Sequence, residues 1–122
     1  MGSDPIRILI VDDDEDVLIR LERLLEGEGY NTATAWSGKE ALELSGKAKF
    51  DLLLVDEYLG DVETAKLWEE LHRHQPHAFR FVMLSRANGT RHAPVKHLPS
   101  VCKWEHSDVT AKIRSCLAAY AA

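Results

Sequence analysis

Short apolar runs alternate along the chain with longer segments in which apolar residues recur every three or four positions. Such runs are typical of strands, and the longer spacing is typical of amphipathic helices. The predicted strands are residues 6–11, 30–35, 52–55, 79–84 and 101–104. The predicted helices cover residues 14–27, 37–44 and 107–120, with another that begins at residue 65 and ends between residues 72 and 75.

Polar residues mark the ends of these helices. Asp14 is the predicted N-cap of the first helix, and Gly27 and Gly29 end it. The segment from Ser37 to Glu40 has the form of a capping box. Ser107 is the predicted cap of the last helix.

The alternation of strands and helices predicts a doubly wound α/β fold with a five-stranded parallel sheet and helices on both faces. One crossover departs from this pattern, because residues 86–100 contain Asn88-Gly89, Pro94 and Pro99. These residues break helices, so the fourth helix is predicted to be short or missing.

Size and charge narrow the class of protein. The 122 residues suit one domain, 1–122, with residues 1–4 expected to form a flexible or cloning-derived tail. A net charge of −5 argues against direct binding of nucleic acid. The chain has no apolar run long enough for a signal peptide or a membrane span, and only two cysteines. We therefore expect a cytoplasmic protein without a disulfide framework or a membrane partner.

Chemistry-bearing residues follow several of the predicted strands. Asp12, Asp13, Asp56, Ser85 and Lys103 all lie at carboxyl ends, where sheets of this kind bind ligands. Three carboxylates held close together repel one another unless a cation is bound, and a site of hard oxygen ligands suits Mg²⁺. With a lysine and a hydroxyl beside them, the carboxylates provide what phosphoryl transfer requires.

Two other metal or phosphate chemistries fit the sequence less well. Residues 12–16 are similar to the start of a calcium-binding loop. However, Val17 stands where that loop requires a glycine, and Arg23 stands where it requires a bidentate glutamate. A haloacid-dehalogenase-type phosphatase needs a second aspartate two residues after the first, and then a threonine or valine two residues later. Tyr58 holds the second position after Asp56, and Asp16 holds the third position after Asp12 and Asp14. The three histidines His72, His74 and His77 could suggest a metal site, but we interpret them as the solvent-exposed end of a helix.

The order of these motifs resembles that of the receiver domains of response regulators. The motifs are Ile8-Leu9-Ile10-Val11-Asp12-Asp13-Asp14-Glu15, Asp51-Leu52-Leu53-Leu54-Val55-Asp56, Val82-Met83-Leu84-Ser85 and Cys102-Lys103. The resemblance implies a flavodoxin-like receiver fold, in which Mg²⁺-dependent phosphorylation switches the interactions of a two-component signalling protein. It also implies a sensor histidine kinase or phosphotransfer protein as the donor, and an output domain or partner protein.

Each site residue takes its expected role from this resemblance. Asp56 is similar to the phosphoacceptor, Asp13 and Asp56 to direct magnesium ligands, and Asp12 to a ligand that acts through water. The backbone carbonyl of Tyr58 would complete the protein ligands. Ser85 resembles the hydroxyl residue that contacts the phosphoryl group, and Lys103 the amine that pairs with the acid and then with the phosphate.

Five positions depart from the family pattern. Trp104 follows the lysine in place of proline, Ser100 replaces an aromatic switch residue, Arg86 replaces a small residue, and Leu59-Gly60 replaces Met-Pro. These changes bear on the relay of the signal more than on phosphorylation. The leading hypothesis is therefore a phosphoacceptor switch, and the alternative is a receiver-like scaffold that binds partners without phosphate.

Overall fold

The computed structural model describes residues 5–75, 80–85, 100–103 and 105–121. In chain order the elements are β1 (Arg7–Val11), α1 (Glu15–Gly27), β2 (Asn31–Ala35), α2 (Gly38–Ser45), β3 (Leu52–Asp56), α3 (Thr64–His74), β4 (Arg80–Ser85), β5 (Ser100–Cys102) and α4 (His106–Ala121). The prediction that the helix between β4 and β5 is short or missing concerns residues 86–99, which lie outside the described residues. It stays a prediction, as does the assignment of residues 1–122 to one domain with a tail at 1–4.

The five strands form one parallel sheet in the order β2-β1-β3-β4-β5. This confirms the doubly wound α/β prediction. The strand order reverses at β1, which pairs with β2 on one side and with β3 on the other. The crevice beyond the carboxyl ends of β1 and β3 is therefore the expected ligand site of the sheet.

Alternate residues of β1 and β3 pack on opposite faces of the sheet. Ile8, Ile10, Leu52 and Leu54 face one apolar cluster with α1 and α4, whereas Leu9, Val11, Leu53 and Val55 face the other with α2 and α3. All eight side chains are fully buried, as the continuous apolar runs predicted. The two central strands thus hold their carboxyl ends rigidly in place.

Two of the three predicted helix caps are confirmed. The side chain of Asp14 accepts a hydrogen bond from the Asp16 backbone N–H, and that of Ser37 accepts one from Glu40. The Glu40 carboxylate accepts a reciprocal bond from Trp36, one residue earlier than in a regular capping box. The Ser107 prediction is wrong, because α4 already begins at His106. The next acid, Asp108, accepts a hydrogen bond from the Cys102 N–H and so ties the helix start to β5.

The described tryptophans differ in burial, and the described histidines at the end of α3 are exposed, as predicted. Trp68 is buried against the α2–α3 face of the sheet, whereas Trp36 is 66% exposed. His72 and His74 are exposed at the end of α3, and His74 contacts the Ser45 hydroxyl through Nδ1 at 2.8 Å. His77 and Trp104 lie outside the described residues. None of the helices, as far as they are described, has the length and hydropathy needed to cross a bilayer.

Candidate functional site

A cluster of three carboxylates lies at the switch point of the sheet. Asp12 and Asp13 follow β1, and Asp56 is the last residue of the neighbouring β3. Each of the three contributes an oxygen, and these oxygens all lie within 4.8 Å of one another. Asp12 and Asp56 are completely buried, whereas Asp13 is exposed. The cluster therefore opens to solvent on the side of Asp13.

A buried lysine joins the two inner carboxylates. Lys103 follows β5, and its Nζ donates to Oδ2 of Asp12 at 2.8 Å and to Oδ2 of Asp56 at 3.3 Å. Because β4 lies between β3 and β5, the long side chain reaches across the end of β4 to make these contacts. The lysine residue is only 2% exposed, so both ion pairs are shielded from solvent.

Burial makes the inner carboxylates harder to ionise than ordinary aspartates. Burial first, and then the negative charge of Asp12, raises the pKa of Asp56 to about 6, although Lys103 opposes the rise. Burial also raises the pKa of Asp12. One ammonium group cannot balance three carboxylates, so a further cation would stabilise the fully ionised cluster.

Backbone groups fix the orientation of the carboxylates. The Asp14 N–H donates to Oδ1 of Asp12 at 2.9 Å, which leaves Oδ2 for the lysine. The Tyr58 N–H approaches Oδ1 of Asp56 at 3.5 Å, a weak contact. The Tyr58 residue is 66% exposed, so its ring lies at the surface near the site.

The structure therefore brings together Asp12, Asp13, Asp56 and Lys103, as the sequence predicted, with the backbone of Tyr58 beside them. Ser85 ends β4 opposite Cys102, at the same edge of the sheet. Its side chain lies outside the described part of the structure, so its predicted contact with a phosphoryl group stays a prediction. The use of the Tyr58 carbonyl as a metal ligand is likewise untested.

The donor set fits Mg²⁺. Every candidate ligand is a hard oxygen, and a shell that is open on the Asp13 side leaves positions for water and for phosphate oxygens. The residues that could hold the ion are Asp13 and Asp56 directly, Asp12 through water, and Tyr58 through its carbonyl.

One hydrogen-bonding residue of the loop after β3 was missed by sequence reasoning. Asp61, in the loop between β3 and α3 (residues 57–63, the β3–α3 loop), accepts hydrogen bonds from the Gly38 and Lys39 N–H groups at the start of α2. No local signal could have found it, because its partners are 23 and 22 residues away in the sequence.

The fold and the site together define an open α/β sheet with an acidic, lysine-bridged ligand site at its switch point. A model of the response regulator receiver domain matches residues 8–98. The chain belongs to this family of two-component signalling domains.

Curated relatives share this part of the chain. The transcriptional regulatory protein GlrR of Escherichia coli is 36% identical over 76 residues, which are 62% of this chain and 17% of that protein. A response regulator receiver protein of Anaeromyxobacter is 40% identical over 77 residues, which are 63% of this chain and 32% of that protein. The matched region thus spans no more than about a third of either relative.

Solved receiver structures share the fold over nearly the whole chain. A CheY-like receiver domain protein from Methanospirillum hungatei superposes with a TM-score of 0.81 at 28% identity, covering 96% of this chain and 97% of that one. A response regulator from Burkholderia pseudomallei superposes with a TM-score of 0.71 at 28% identity, covering 88% and 72%. The Burkholderia structure contains a phosphorylated aspartic acid and a calcium ion.

Proposed function

We propose that this chain is a phosphoacceptor receiver domain in which Asp56 accepts a phosphoryl group in a magnesium-dependent reaction. The observation that carries the proposal is the convergence of two buried carboxylates, one exposed carboxylate and one buried lysine at the switch point of the sheet. A structural ion pair would need only one carboxylate for its lysine. The additional carboxylates are a cost to the fold, which a bound cation and an arriving phosphate would offset.

Asp56 would be the nucleophile. One of its oxygens would form a bond to phosphorus while the bond from phosphorus to the donor's leaving atom breaks, so that an acyl phosphate replaces the carboxylate. The carboxylate must be ionised to attack, which its pKa of about 6 permits at neutral pH. Asp56 already lies beside the hydrogen-bonding amine, so little movement would be needed to reach the product.

Lys103 would exchange its contact with the Asp56 carboxylate for one with the phosphoryl group. Its Nζ is shared between Asp12 and Asp56, and it is closer to Asp12 by 0.5 Å. When Asp56 gives up its negative charge to the bond with phosphorus, the ammonium would keep Asp12 as a partner and donate to a phosphoryl oxygen. Bound magnesium would supply charge compensation on the phosphoryl oxygens. Ser85, at the end of β4, would provide a hydroxyl donor.

The biological donor in this proposal is a sensor histidine kinase or a phosphotransfer protein. Several relatives are named transcriptional regulatory proteins, such as PhoP of Bacillus subtilis, which is 35% identical over 65% of this chain. We therefore propose that this chain passes its signal to an output domain or to a separate partner protein. With a net charge of −5, the receiver is not proposed to contact nucleic acid itself. The cytoplasmic location stays a prediction.

Phosphodonor labelling tests the proposal. Intact-mass spectrometry after incubation with acetyl phosphate should show one acid-labile phosphoryl adduct with magnesium present, and none after chelation. Asp56→Asn should abolish the adduct. Asp51→Asn is the matched control, because Asp51 is a carboxylate that accepts a backbone hydrogen bond from Arg7 at the opposite end of the sheet. A wild-type protein that binds magnesium but forms no adduct would favour the phosphate-independent scaffold.

A further inference from the structure

The β3–α3 loop is fastened to helix α2 by a carboxylate with two hydrogen bonds. Asp61 accepts from the Gly38 N–H through Oδ1 at 3.0 Å and from the Lys39 N–H through Oδ2 at 3.1 Å. These are the first two N–H groups of α2, which have no partner inside their own helix. The side chain of Asp61 thus caps a helix that is distant in sequence, and the helix dipole favours its negative charge.

An apolar contact at the same place requires a glycine. Val62 packs into the apolar cluster beneath α2, and a methyl group built at Gly38 would lie 2.3 Å from Cγ2 of Val62. That distance is far below any normal carbon–carbon contact, so only the missing side chain of Gly38 lets the loop approach this closely. Asp61 and Val62 therefore dock on the N-terminus of α2 as a unit.

Other restraints on this loop are few. Leu59 is buried, but Tyr58 is largely exposed, and the contact of its N–H with Asp56 is weak. Gly60 has no heavy atom within 4 Å of the position that a side chain would take, so it adds backbone freedom. Glu63, the N-cap of α3, makes no capping hydrogen bond with its side chain. The docking of Asp61 is thus the principal polar restraint on the loop within the described residues.

We propose that Asp61 is a positioning residue for the cation site: it holds the β3–α3 loop on α2 so that the Tyr58 carbonyl stays in place to complete the protein ligands. This inference rests on the proposed function, because it assumes that the carboxylate cluster binds Mg²⁺. Groups that orient metal ligands from outside the shell commonly change metal affinity. Asp61 acts on Tyr58 through the backbone of two intervening residues, Leu59 and Gly60, so its effect should be smaller than that of a direct neighbour of a ligand.

Magnesium titration of Asp61→Ala tests the inference without using phosphorylation. We expect Mg²⁺ affinity, followed by amide chemical shifts of Asp13 and Asp56, to fall about threefold to tenfold. Amide exchange at Gly38 and Lys39 should accelerate, because both N–H groups lose their acceptor. Asp61→Asn keeps one acceptor oxygen and should give an intermediate affinity, and it provides the test if the alanine variant fails to fold. Asp51→Ala is the control and should leave the affinity unchanged.

A second pair of variants disturbs the same contact from the other side. Gly38→Ala should displace the loop through Val62 and weaken Mg²⁺ binding by a similar factor, while every carboxylate stays in the chain. Combining it with Val62→Ala removes the steric conflict and should restore affinity towards the wild-type value. A purely structural role predicts instead that the double variant is less stable than either single variant and no better at binding Mg²⁺.

The outcomes separate this inference from the function on which it rests. If the wild-type chain shows no Mg²⁺-dependent shifts at Asp13 and Asp56, the proposed function fails and the inference fails with it. If the wild type binds Mg²⁺ and Asp61→Ala binds it equally well, the inference alone is overturned. Weaker binding by Asp61→Ala and Gly38→Ala, with recovery in the double variant, would support both.

Discussion

Asp56 combines a reactive role with a thermodynamic cost. Its pKa rises from an ordinary value of 3.8 to about 6, chiefly because the carboxyl is buried. The folded state therefore holds the proton more tightly than the unfolded state does. The contribution of Asp56 to stability is fully present below about pH 4 and is lost as the pH rises through 6. At neutral pH the ionised nucleophile is available at the expense of the fold.

Removing this charge should stabilise the metal-free protein. The shift in the pKa of Asp56 corresponds to a gain in stability of at most about 3 kcal/mol when the charge is removed. The loss of the ion pair with Lys103 offsets part of this gain. We expect Asp56→Asn to raise the free energy of unfolding by about 1–3 kcal/mol at pH 7.5 without divalent cations. The difference from the wild type should narrow at pH 4.5, where Asp56 is mostly protonated. Urea unfolding at the two pH values measures this, and a difference independent of pH would contradict the assignment.

Tyr58 provides a second test at the residue scale. Tyr58 is exposed beside Asp56, and we expect its aromatic ring to hinder the approach of water to an acyl phosphate at that position. Tyr58→Asn should therefore speed dephosphorylation, by about tenfold if about 1.4 kcal/mol of barrier is involved. The decay of the adduct after removal of the donor measures the rate, with Trp36→Asn as a control at another exposed aromatic. Equal decay of Tyr58→Asn and the wild type would exclude this role.

At the scale of the elements, sequence reasoning succeeded where the signals are local. The apolar runs of β1 and β3 and the caps at Asp14 and Ser37 depend on neighbours within four residues, and the structure confirms them. The cap of α4 was wrongly predicted at Ser107 because several polar residues lie near the start of this helix. The contact of Asp108 with Cys102 is not visible in the local sequence. The contacts of the Gln75 side chain are not visible in the local sequence either, because its partners lie 25 to 30 positions earlier in the chain.

Gln75 should contribute measurably to stability. Its buried amide donates to the carbonyl oxygens of Ser45 and Ala48 and accepts from the Phe50 N–H at 2.8 Å, which ties the end of α3 to the turn before β3. Gln75→Ala would leave these backbone groups without a protein partner and should cost about 2–3 kcal/mol. His74→Ala, which removes one hydrogen bond at an exposed neighbour, should cost less than about 1 kcal/mol. Chemical denaturation of the two variants compares these losses, and equal losses would contradict the role of Gln75.

At the scale of the whole molecule, the topology assembles the site from residues far apart in the chain. Lys103 contacts Asp12, 91 positions away, and Asp56, 47 positions away. The sequence predicted this only because all three residues lie at the carboxyl ends of strands in one parallel sheet. The rule that ligands bind at the carboxyl ends of parallel strands locates a site, but it does not identify the residues that hold the surrounding loops in place. It could not place Asp61, which belongs to a loop, nor the burial that raises the pKa of Asp56.

Burial and mutual repulsion of the carboxylates lower the free energy of unfolding of the whole domain. A cation that binds among them should therefore stabilise the fold. A ligand at ten times its dissociation constant contributes about 1.4 kcal/mol, which for a domain of this size corresponds to a rise in Tm of about 4–7 °C. We expect a rise of this order on adding saturating MgCl₂ at constant ionic strength. Asp13→Asn should abolish it while leaving the metal-free Tm unchanged or slightly higher, because Asp13 is exposed and outside the buried pairs with Lys103. If the variant and the wild type gain equally from magnesium, the ion binds elsewhere and the carboxylates at the switch point are not its site.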